Sequence, residues 1–219
     1  METPTPLVIA TRNSGKAAEI KDLLRGFSVE IRSLADFGPI PEAEENGETF
    51  EENAYLKASL TARVLGMTAM ADDSGLVVEA LDGAPGVHSA RFAGPEATDR
   101  DRCEIILQKM RGITDRRASF QCVLSIAVPT GAALTYSGHC EGRISEKPAG
   151  ENGFGYDPIF YYPPLRRTFA QLTREEKNRV SHRGRALEEL KQEFHKVLVW
   201  IDQQTPRQQN VICHHLSHD

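Results

Sequence analysis

Short apolar runs alternate with amphipathic helical stretches in the first third of this chain. Leu7 to Ala10 is apolar and is predicted to be a buried strand. It precedes a helical pattern over Ala17 to Leu24, in which apolar residues recur every three to four positions. Val29 to Ile31 and Met67 to Ala71 are two further short apolar runs, each predicted to be a strand.

Capping signals place the remaining helices. Thr49 to Glu52 has the pattern of a capping box, so we expect a helix from there to about Leu65. Another helix is expected from a cap near Thr98 to Met110, and a short one after the capping box at Thr173. The final amphipathic helix has the apolar stripe Leu187, Leu190, Phe194, Val197 and Ile201.

One stretch alternates cleanly between apolar and polar residues. Phe120 to Val128 has this period of two, which predicts a strand with one buried face. A turn at Pro129 to Gly131 then leads to a partner strand over Ala133 to Cys140. We interpret the pair as a hairpin arm of the sheet and assign it no chemistry.

Composition excludes some classes of partner. The chain has 219 residues, 40% of them hydrophobic and 26% charged, which suits one domain of two lobes or two small domains. Its net charge of −5 provides no overall basic field for nucleic acid or an anionic membrane. A polyanionic ligand would therefore need a local cluster of cations.

Cysteine usage and the termini indicate a reduced, cytoplasmic setting. The four cysteines are widely spaced and form no C-x-x-C pair, so neither a zinc site nor a disulfide framework is predicted. The first residues lack the basic and apolar regions of a signal peptide, and no apolar run approaches membrane-spanning length. We expect one domain over residues 1–202 and a flexible polar tail over residues 203–219.

Two adjacent acids follow the strand predicted at Met67 to Ala71. A strand that ends at Asp72 and Asp73 would put both carboxylates at the rim of a sheet, where α/β proteins bind ligands. Adjacent carboxylates are costly unless a cation or a proton separates their charges. The alternative is an acidic turn, because Asp, Ser74 and Gly75 are all turn formers.

The turn after the first strand suits a phosphate. Thr11 to Lys16 joins a strand to a helix, which presents backbone N–H groups and an ammonium to an anion. It lacks the G-x-x-x-x-G-K-[ST] pattern of a Walker A loop. A plain turn with a solvated lysine is the alternative.

Two further stretches offer ligand-binding chemistry. An acidic loop holds Glu42, Glu44 and Glu45 and is either solvated or a source of oxygen ligands for a hard cation. Gly150 to Phe160 is glycine-rich around Phe154, which can stack on a flat ring if it is exposed, or can pin the loop if it is buried.

Five blocks taken together resemble the inosine/xanthosine triphosphate pyrophosphatase family over about Leu7 to Asp202. Arg12 departs from the pattern, since many members have glycine there. The blocks are Thr11–Lys16, Ala71–Leu76, Gly83–Gly86 with Ser89–Arg91, Gly153–Phe160 and Ser181–Gly184. The resemblance implies an elongated α/β fold of two lobes around a long mixed β-sheet with flanking helices, an active site in the cleft between the lobes, a homodimer and dependence on Mg²⁺, with Mn²⁺ as an alternative.

The resemblance also implies roles. Asp73 would be the catalytic base, and Asp72, Asp73 and either Glu44 or Glu45 would bind magnesium. Substrate would be bound by Thr11, Arg12, Asn13, Ser14, Gly15, Lys16, Lys57, Ser74, Phe154, Gly155, Tyr156, Asp157, Lys177, His182 and Arg183. Of these, Lys16, Lys57, Lys177 and Arg183 would supply the local cations that the acidic chain needs.

The implied reaction converts dITP/ITP and XTP/dXTP to the nucleoside monophosphate and pyrophosphate. Donors from the His182–Arg183 segment would bind the 6-oxo group of hypoxanthine or xanthine and reject adenine. The alternatives are a nucleotide-binding sensor without turnover, or another NTP-hydrolysing enzyme such as a kinase or P-loop NTPase. We expect no nucleic-acid or membrane partner.

Overall fold

The computed structural model describes residues 4–204, with the side chains of Ser14 and Leu23 outside the described set. The strands are β1 Thr5–Ile9, β2 Val29–Ser33, β3 Ala69–Val78, β4 Arg117–Ala127, β5 Ala133–Ile144, β6 Phe160–Tyr162 and β7 Arg167–Thr168. The helices are α1 Ser14–Leu23, α2 Phe50–Leu65, α3 Asp99–Lys109, α4 Arg174–Val180 and α5 His182–Gln204.

The predicted helix starts are confirmed by their caps. Thr49, Thr98 and Thr173 are the N-caps of α2, α3 and α4, and each forms a capping box with the acidic residue three positions later. These reciprocal bonds satisfy backbone donors that a helix start leaves free. The predicted stripe of α5 is buried along its length.

Seven strands form one mixed sheet in the order β2-β1-β3-β4-β5-β6-β7. β1 pairs in parallel with β2 and β3, whereas every later pair is antiparallel. The predicted mixed α/β fold is confirmed. The β4–β5 hairpin, expected at an arm of the sheet, lies in its middle.

The apolar core is divided between two ends of the sheet. At one end α5 and α1 pack on one face through residues such as Leu190 and Ile20. On the opposite face α2 packs through Ala58 and Ala62. A separate cluster around Phe160 joins α3 to the other end of the sheet. This division matches the expected two lobes.

The strand predicted to end at Ala71 continues to Val78, so the expectation that Asp72 and Asp73 lie at its carboxyl end is wrong. Asp72, Asp73, Ser74 and Gly75 are all inside β3, which pairs with β4 in unbroken register from Ala69 to Val78. All ten residues of this strand are paired with β4. This tertiary pairing overrides the local turn preference of Asp72, Asp73, Ser74 and Gly75. The alternative of an acidic turn is excluded as well.

Asp72 and Asp73 nevertheless lie close to the carboxyl end of a parallel strand, which is β1. β1 pairs with β3 only at Val8 and Ile9, opposite Ala69 and Met70. Beyond Met70 no described strand pairs with the edge of β3 that faces β1. Val77 forms an isolated bridge with Pro85 there, and the start of α1 reaches Asp72 through Lys16. The rule that ligands bind outside the carboxyl ends of parallel strands therefore applies to β1.

No described helix is long and apolar enough to cross a membrane. The helix α5 runs two residues into the segment predicted to be a flexible tail, to Gln204. The rest of that segment lies outside the described residues.

Candidate active site

Two adjoining cavities lie between the lobes. The larger, of about 510 Å³, is lined by the β1–α1 loop, the acidic loop and polar side chains that include Lys57 and Asp72. The smaller, of about 120 Å³, is lined by Phe120, Phe154 and His182 among others. The two share Asn13, Lys16 and Ala90. A polar cavity that meets an aromatic one suits a ligand with a charged end and a flat end.

Asp72 and Asp73 do not lie side by side, because successive side chains of a strand point to opposite faces of the sheet. Asp72 contacts Lys16 of α1 and Arg183 of α5, whereas Asp73 contacts Lys57 of α2. Each carboxylate therefore has its own cations, and the repulsion expected of neighbouring acids is relieved by geometry.

Asp72 is 2% exposed and strongly held as an anion. Its Oδ2 lies 3.0 Å from both Lys16 Nζ and Arg183 Nη2. Burial alone would raise the pKa of Asp72, but the charges of Lys16 and Arg183 outweigh it and hold the pKa far below its usual value. Ser74 donates a hydrogen bond to the same Oδ2 at 3.2 Å.

Asp73 has a different environment on the other face. Lys57 Nζ donates to Asp73 Oδ1 at 2.7 Å and lies 3.4 Å from Glu45 Oε1. Burial raises the pKa of Asp73 above its usual value, although Lys57 opposes the shift. Burial would lower the pKa of Lys57, but Asp73 and Asp72 raise it, so that side chain stays an ammonium.

The acidic loop brings one of the two predicted metal-ligand candidates to the site. Glu45 lies beside Lys57, and its carbonyl oxygen accepts a hydrogen bond from Arg91 Nη2 at 2.9 Å. Glu44 is exposed. Glu42 pairs with Arg12 at the surface of the larger cavity.

The β1–α1 loop presents its polar groups to both cavities. Asn13 is the N-cap of α1 and accepts from the backbone N–H of Lys16 at 3.0 Å, while Thr11 Oγ1 accepts from the N–H of Asn13 at 3.2 Å. Lys16 points into the shared part of the site, with its side chain 17% exposed. Gly15 abuts the Phe154 ring, since a Cβ there would lie 3.0 Å from it. The backbone of Ser14 begins α1, and its side chain lies outside the described residues.

Two of the four predicted substrate cations are buried in an internal network. Arg183 donates to Asp72, Ser74 and Glu19 and is 1% exposed. Lys177 Nζ lies 2.7 Å from Asp157 Oδ2 and 3.3 Å from Glu19 Oε1. Lys177 and Arg183 line the smaller cavity, with side chains only 6% and 1% exposed. Lys16 and Lys57 also pair with carboxylates, but they line the larger cavity and are more exposed, at 17% and 16%.

Phe154 lies between the lobes and is half-buried. Lys177 Nζ lies 4.4 Å, and Arg183 Cζ 5.7 Å, from the centre of its ring, within the range of cation–π attraction. Its backbone N–H donates to Asp157 Oδ2 at 2.9 Å. The predicted glycine-rich platform is thus a held aromatic ring at a cavity wall rather than a freely exposed one.

His182 and Tyr156 are both buried at the wall of the smaller cavity. His182 stacks on Phe120 with ring centres 4.7 Å apart, and its buried Nδ1 lacks a hydrogen-bond partner. Burial lowers the pKa of His182 well below its usual value, and Arg183 and Lys177 lower it further, so the ring is neutral at pH 7. Tyr156 is 3% exposed and donates to the carbonyl of Ser89 at 2.8 Å, which marks it as a core residue at the cavity wall.

Asp157, predicted to bind substrate, contacts two other residues of the site. It is 2% exposed, and the same Oδ2 contacts Lys177 and the Phe154 N–H. Burial raises the pKa of Asp157, although Lys177 opposes the shift. Gly155 lines the smaller cavity beside it.

Sequence reasoning missed several residues of the site. Glu19 bridges Lys177 and Arg183, and Phe120 is the stacking partner of His182. Only the helical spacing of Glu19 from Lys16 could have placed it on the same face. Arg91 was part of a matched block without a role, and no local signal marked Phe120 apart from core residues of its strand.

Carboxylate oxygens with no partner point to a cation. Among the residues that the structure describes, Asp72 Oδ1 and Asp73 Oδ2 are buried without a hydrogen-bond partner. A buried anionic oxygen is costly unless something compensates it. Within residues 4–204 no three His, Cys, Asp or Glu side chains lie close enough to hold a metal by themselves. These two oxygens belong to carboxylates on opposite faces of β3, and either carboxylate fits Mg²⁺, which usually keeps waters and takes one or two protein carboxylates with substrate phosphates.

Comparison with known proteins identifies the family of the chain. The profile of the Ham1 family matches residues 7–193. A dITP/XTP pyrophosphatase of Syntrophobacter fumaroxidans is 61% identical over 199 residues, covering 91% of this chain and 86% of that protein. A dITP/XTP pyrophosphatase of Desulfotalea psychrophila is 55% identical over 90% of this chain and 88% of its own length.

Solved structures show the same fold. A HAM1 protein from Coxiella burnetii superposes with a TM-score of 0.82 at 44% identity, covering 88% of this chain and 99% of that one. The Ham1 protein of Staphylococcus aureus gives a TM-score of 0.80 at 42% identity, covering 88% of this chain and all of its own.

Proposed function

This chain belongs to the Ham1 family, and we propose that it hydrolyses dITP/ITP and XTP/dXTP to the nucleoside monophosphate and pyrophosphate. It is a nucleoside-triphosphate pyrophosphatase, a hydrolase of nucleotide metabolism. The reaction removes non-standard purine nucleotides before they enter DNA or RNA. The observation that carries the proposal is the pairing of a polar cavity, lined by Lys16, Lys57, Glu45 and Asp72, to an aromatic cavity of about 120 Å³.

The triphosphate is assigned to the larger cavity. Lys16 and Lys57 have side chains that are 17% and 16% exposed, so both ammonium groups can reach a ligand there. Phosphoryl chemistry depends mainly on positioning and charge stabilisation. Their present partners, Asp72 and Asp73, keep them in place before a ligand arrives.

Asp73 is assigned the proton-accepting role. Its Oδ1 is held by Lys57, whereas its buried Oδ2 is free to take a proton from water. A carboxylate whose pKa is raised by burial is a better base than an exposed one. Asp72, whose pKa is held far below its usual value, stays an anion.

Mg²⁺ is assigned to Asp72 and Asp73, with Mn²⁺ as an alternative. The unpartnered Oδ1 of Asp72 is the main support for this assignment, because Oδ2 of Asp73 is the atom assigned the proton-accepting role. Glu45 Oε1 lies 3.4 Å from Lys57 Nζ and belongs to the same cluster of charges. When bound, the ion would neutralise the charge of the phosphates. Glu44, which is exposed, is the weaker of the two candidates from the acidic loop.

We expect chelation to abolish turnover. EDTA should lower the initial rate of dITP hydrolysis at least about 100-fold, because charge stabilisation of this size is typical of a bound metal. Adding Mg²⁺ back should restore the rate, and Mn²⁺ should restore part of it. A rate that EDTA leaves unchanged, with the metal content of the sample measured beforehand, would remove the metal from the proposal.

The purine base of the substrate is assigned to the smaller cavity, where it would stack against Phe154. Replacing Phe154 with alanine should raise KM for dITP about 10-fold and change kcat much less, because base–aromatic stacking is worth roughly 1–3 kcal/mol. Steady-state kinetics measures both constants. Phe169, a fully buried ring outside the cavity, provides the contrasting variant, since its replacement by alanine should affect stability instead. An unchanged KM for Phe154→Ala would make that residue a wall of the core.

Selectivity for a 6-oxo purine is assigned chiefly to His182. Arg183 is engaged with carboxylates, whereas the buried Nδ1 of His182 has no partner. A site that pairs with a substrate oxygen discriminates strongly against an amino group in its place. Pyrophosphate release should therefore be measured with dITP, XTP, dGTP and dATP. We expect kcat/KM for dITP and XTP to exceed that for dATP by about 1,000-fold, and equal values would refute the selectivity.

A cytoplasmic homodimer completes the proposal. The family resemblance supports the dimer, and the nucleotide pool supports the location. Sedimentation velocity at micromolar concentration should give twice the mass of one chain. A single species of monomer mass would refute the dimer without affecting the assignment of the reaction.

A further inference from the structure

The N-terminal part of α3 binds the backbone of Gly155, the residue that follows Phe154. Asp99 Oδ2 accepts a hydrogen bond from the backbone N–H of Gly155 at 2.6 Å. Cys103 Sγ donates to the carbonyl oxygen of the same residue at 3.4 Å. Both backbone groups of Gly155 are therefore bound by one helix, 52 and 56 residues away in sequence.

These contacts matter because the chain around Phe154 has little rigidity of its own. Gly153 and Gly155 both have positive φ, of 79° and 62°, a conformation in which glycine is the ordinary residue. A glycine on each side leaves the ring to be placed by bonds from outside. The N–H of Phe154 is held by Asp157, and the peptide after it is held by α3.

Asp99 is itself fixed by Arg102. The guanidinium of Arg102 pairs with Asp99 Oδ1, and its Nη1 donates to the carbonyls of Ala97 at 2.7 Å and Ala90 at 3.1 Å. Ala90, Asp99, Arg102 and Gly155 all line the smaller cavity. The start of α3 thus joins two walls of that cavity through one ion pair.

Cys103 can serve as a donor under all physiological conditions. Burial, together with the charges of nearby Asp99 and Asp157, raises the pKa of its thiol to about 12. The sulfur therefore keeps its proton and can hold the Gly155 carbonyl. A thiol is a weak donor, so this contact is secondary to that of Asp99.

We propose that Asp99, held by Arg102, is a positioning residue that fixes Phe154 at the wall of the purine pocket. This inference rests on the proposed function, since it concerns the base of the same substrate. Asp99 acts through the Gly155 peptide and not on the reacting phosphates. Its loss should therefore affect base binding and leave triphosphate binding and chemistry nearly unchanged.

The kinetic test compares Asp99→Ala with a matched acid on the same helix. Asp99→Ala should raise KM for dITP about 10-fold, with kcat and the inhibition constant of inorganic tripolyphosphate within about threefold of wild type. The KM of Asp99→Asn should lie between those of wild type and Asp99→Ala, because the amide oxygen of asparagine can still accept the hydrogen bond from the Gly155 N–H. Glu104→Ala is the control, since Glu104 is similarly exposed, at 49% against 46%, and pairs with Arg100. An unchanged KM for Asp99→Ala, or an equal loss of tripolyphosphate binding, would overturn the inference.

A double variant tests whether Asp99 acts through Phe154. In a Phe154→Ala background, Asp99→Ala should add less than about twofold to KM, because the ring that it positions is gone. If the double variant raised KM by the full product of the two single effects, the inference would be overturned. Thermal unfolding of each variant checks that the fold is retained.

A measurement that needs no turnover separates this inference from the proposed function. The Gly155 amide should exchange its hydrogen at least about 10-fold faster in Asp99→Ala than in wild type, as NMR resolves residue by residue. Equal exchange would show that α3 does not hold the loop in solution, whatever the protein catalyses. Protected exchange in a wild-type protein that leaves dITP intact would instead refute the proposed function and, with it, the base-positioning role.

Discussion

Replacing Asp73 with asparagine should lower kcat for dITP hydrolysis by about 10²- to 10⁴-fold, the usual contribution of a positioned base. Asparagine has nearly the same shape and can still accept the hydrogen bond that Lys57 gives to Asp73 Oδ1. It lacks the negative charge needed to take a proton from water at the buried Oδ2. Steady-state kinetics under saturating metal gives kcat, and calorimetry with dITP gives binding.

The control for this variant is Asp115→Asn. Asp115 is an acid paired with Arg117 at the surface, far in sequence from the cleft, and its loss should leave kcat unchanged. A kcat for Asp73→Asn close to that of wild type would remove Asp73 from the base role. The assignment of the triphosphate to the larger cavity and of the purine to the smaller cavity would not be affected.

Replacing Arg183 with leucine should cost about 3–5 kcal/mol of unfolding free energy, because it leaves buried carboxylates without their main cation. Arg183 is 1% exposed and holds Asp72 and Glu19 at once. Lys16 and Lys177 remain beside those carboxylates, so we expect a value near the lower end. Equilibrium unfolding in urea measures the loss.

Arg185→Leu is the matched control two positions along α5. Arg185 is exposed and donates only to the carbonyl of His139 among the contacts described, so its replacement should change stability by less than about 1 kcal/mol. If Arg183→Leu were as stable as Arg185→Leu, the buried network would contribute little to folding. Its lysines would then be the more important partners of Asp72 and Glu19.

Local signals predicted the starts of α2, α3 and α4 well, because each of these starts is encoded within four residues. Thr49, Thr98 and Thr173 each begin a helix through a capping box that the sequence displays directly. The stripe of α5 was equally clear, since five apolar residues at helical spacing have few other uses. Such features need no knowledge of the tertiary fold.

The central acids were misplaced because their conformation is decided by a partner strand. Asp72 to Gly75 has the composition of a turn, yet pairing with Val123, Leu124 and their neighbours in β4 keeps it extended. Nothing in the local sequence specifies that register. The consequence is chemical as well as structural, because the strand sends Asp72 and Asp73 to opposite faces and to different cations.

The resemblance predicted which cations belong to the cluster, but not which of them are buried and which face a ligand. The resemblance named Lys16, Lys57, Lys177 and Arg183, and the structure places all four around the two cavities. Burial separates them, since Lys177 and Arg183 are fixed by Glu19, Asp157 and Asp72. Glu19 belongs to no motif that the sequence displayed, so the division between internal and ligand-facing cations required the fold.

The measurement that tests the central claim most directly is product analysis after incubation with dITP and Mg²⁺. Chromatography should show dIMP and pyrophosphate in equal amounts, with no dIDP at any time, because the proposed cleavage lies between the α and β phosphates. Formation of dIDP and phosphate would contradict the account and favour an enzyme that removes the terminal phosphate. Recovery of intact dITP that nevertheless binds tightly would favour a sensor without turnover.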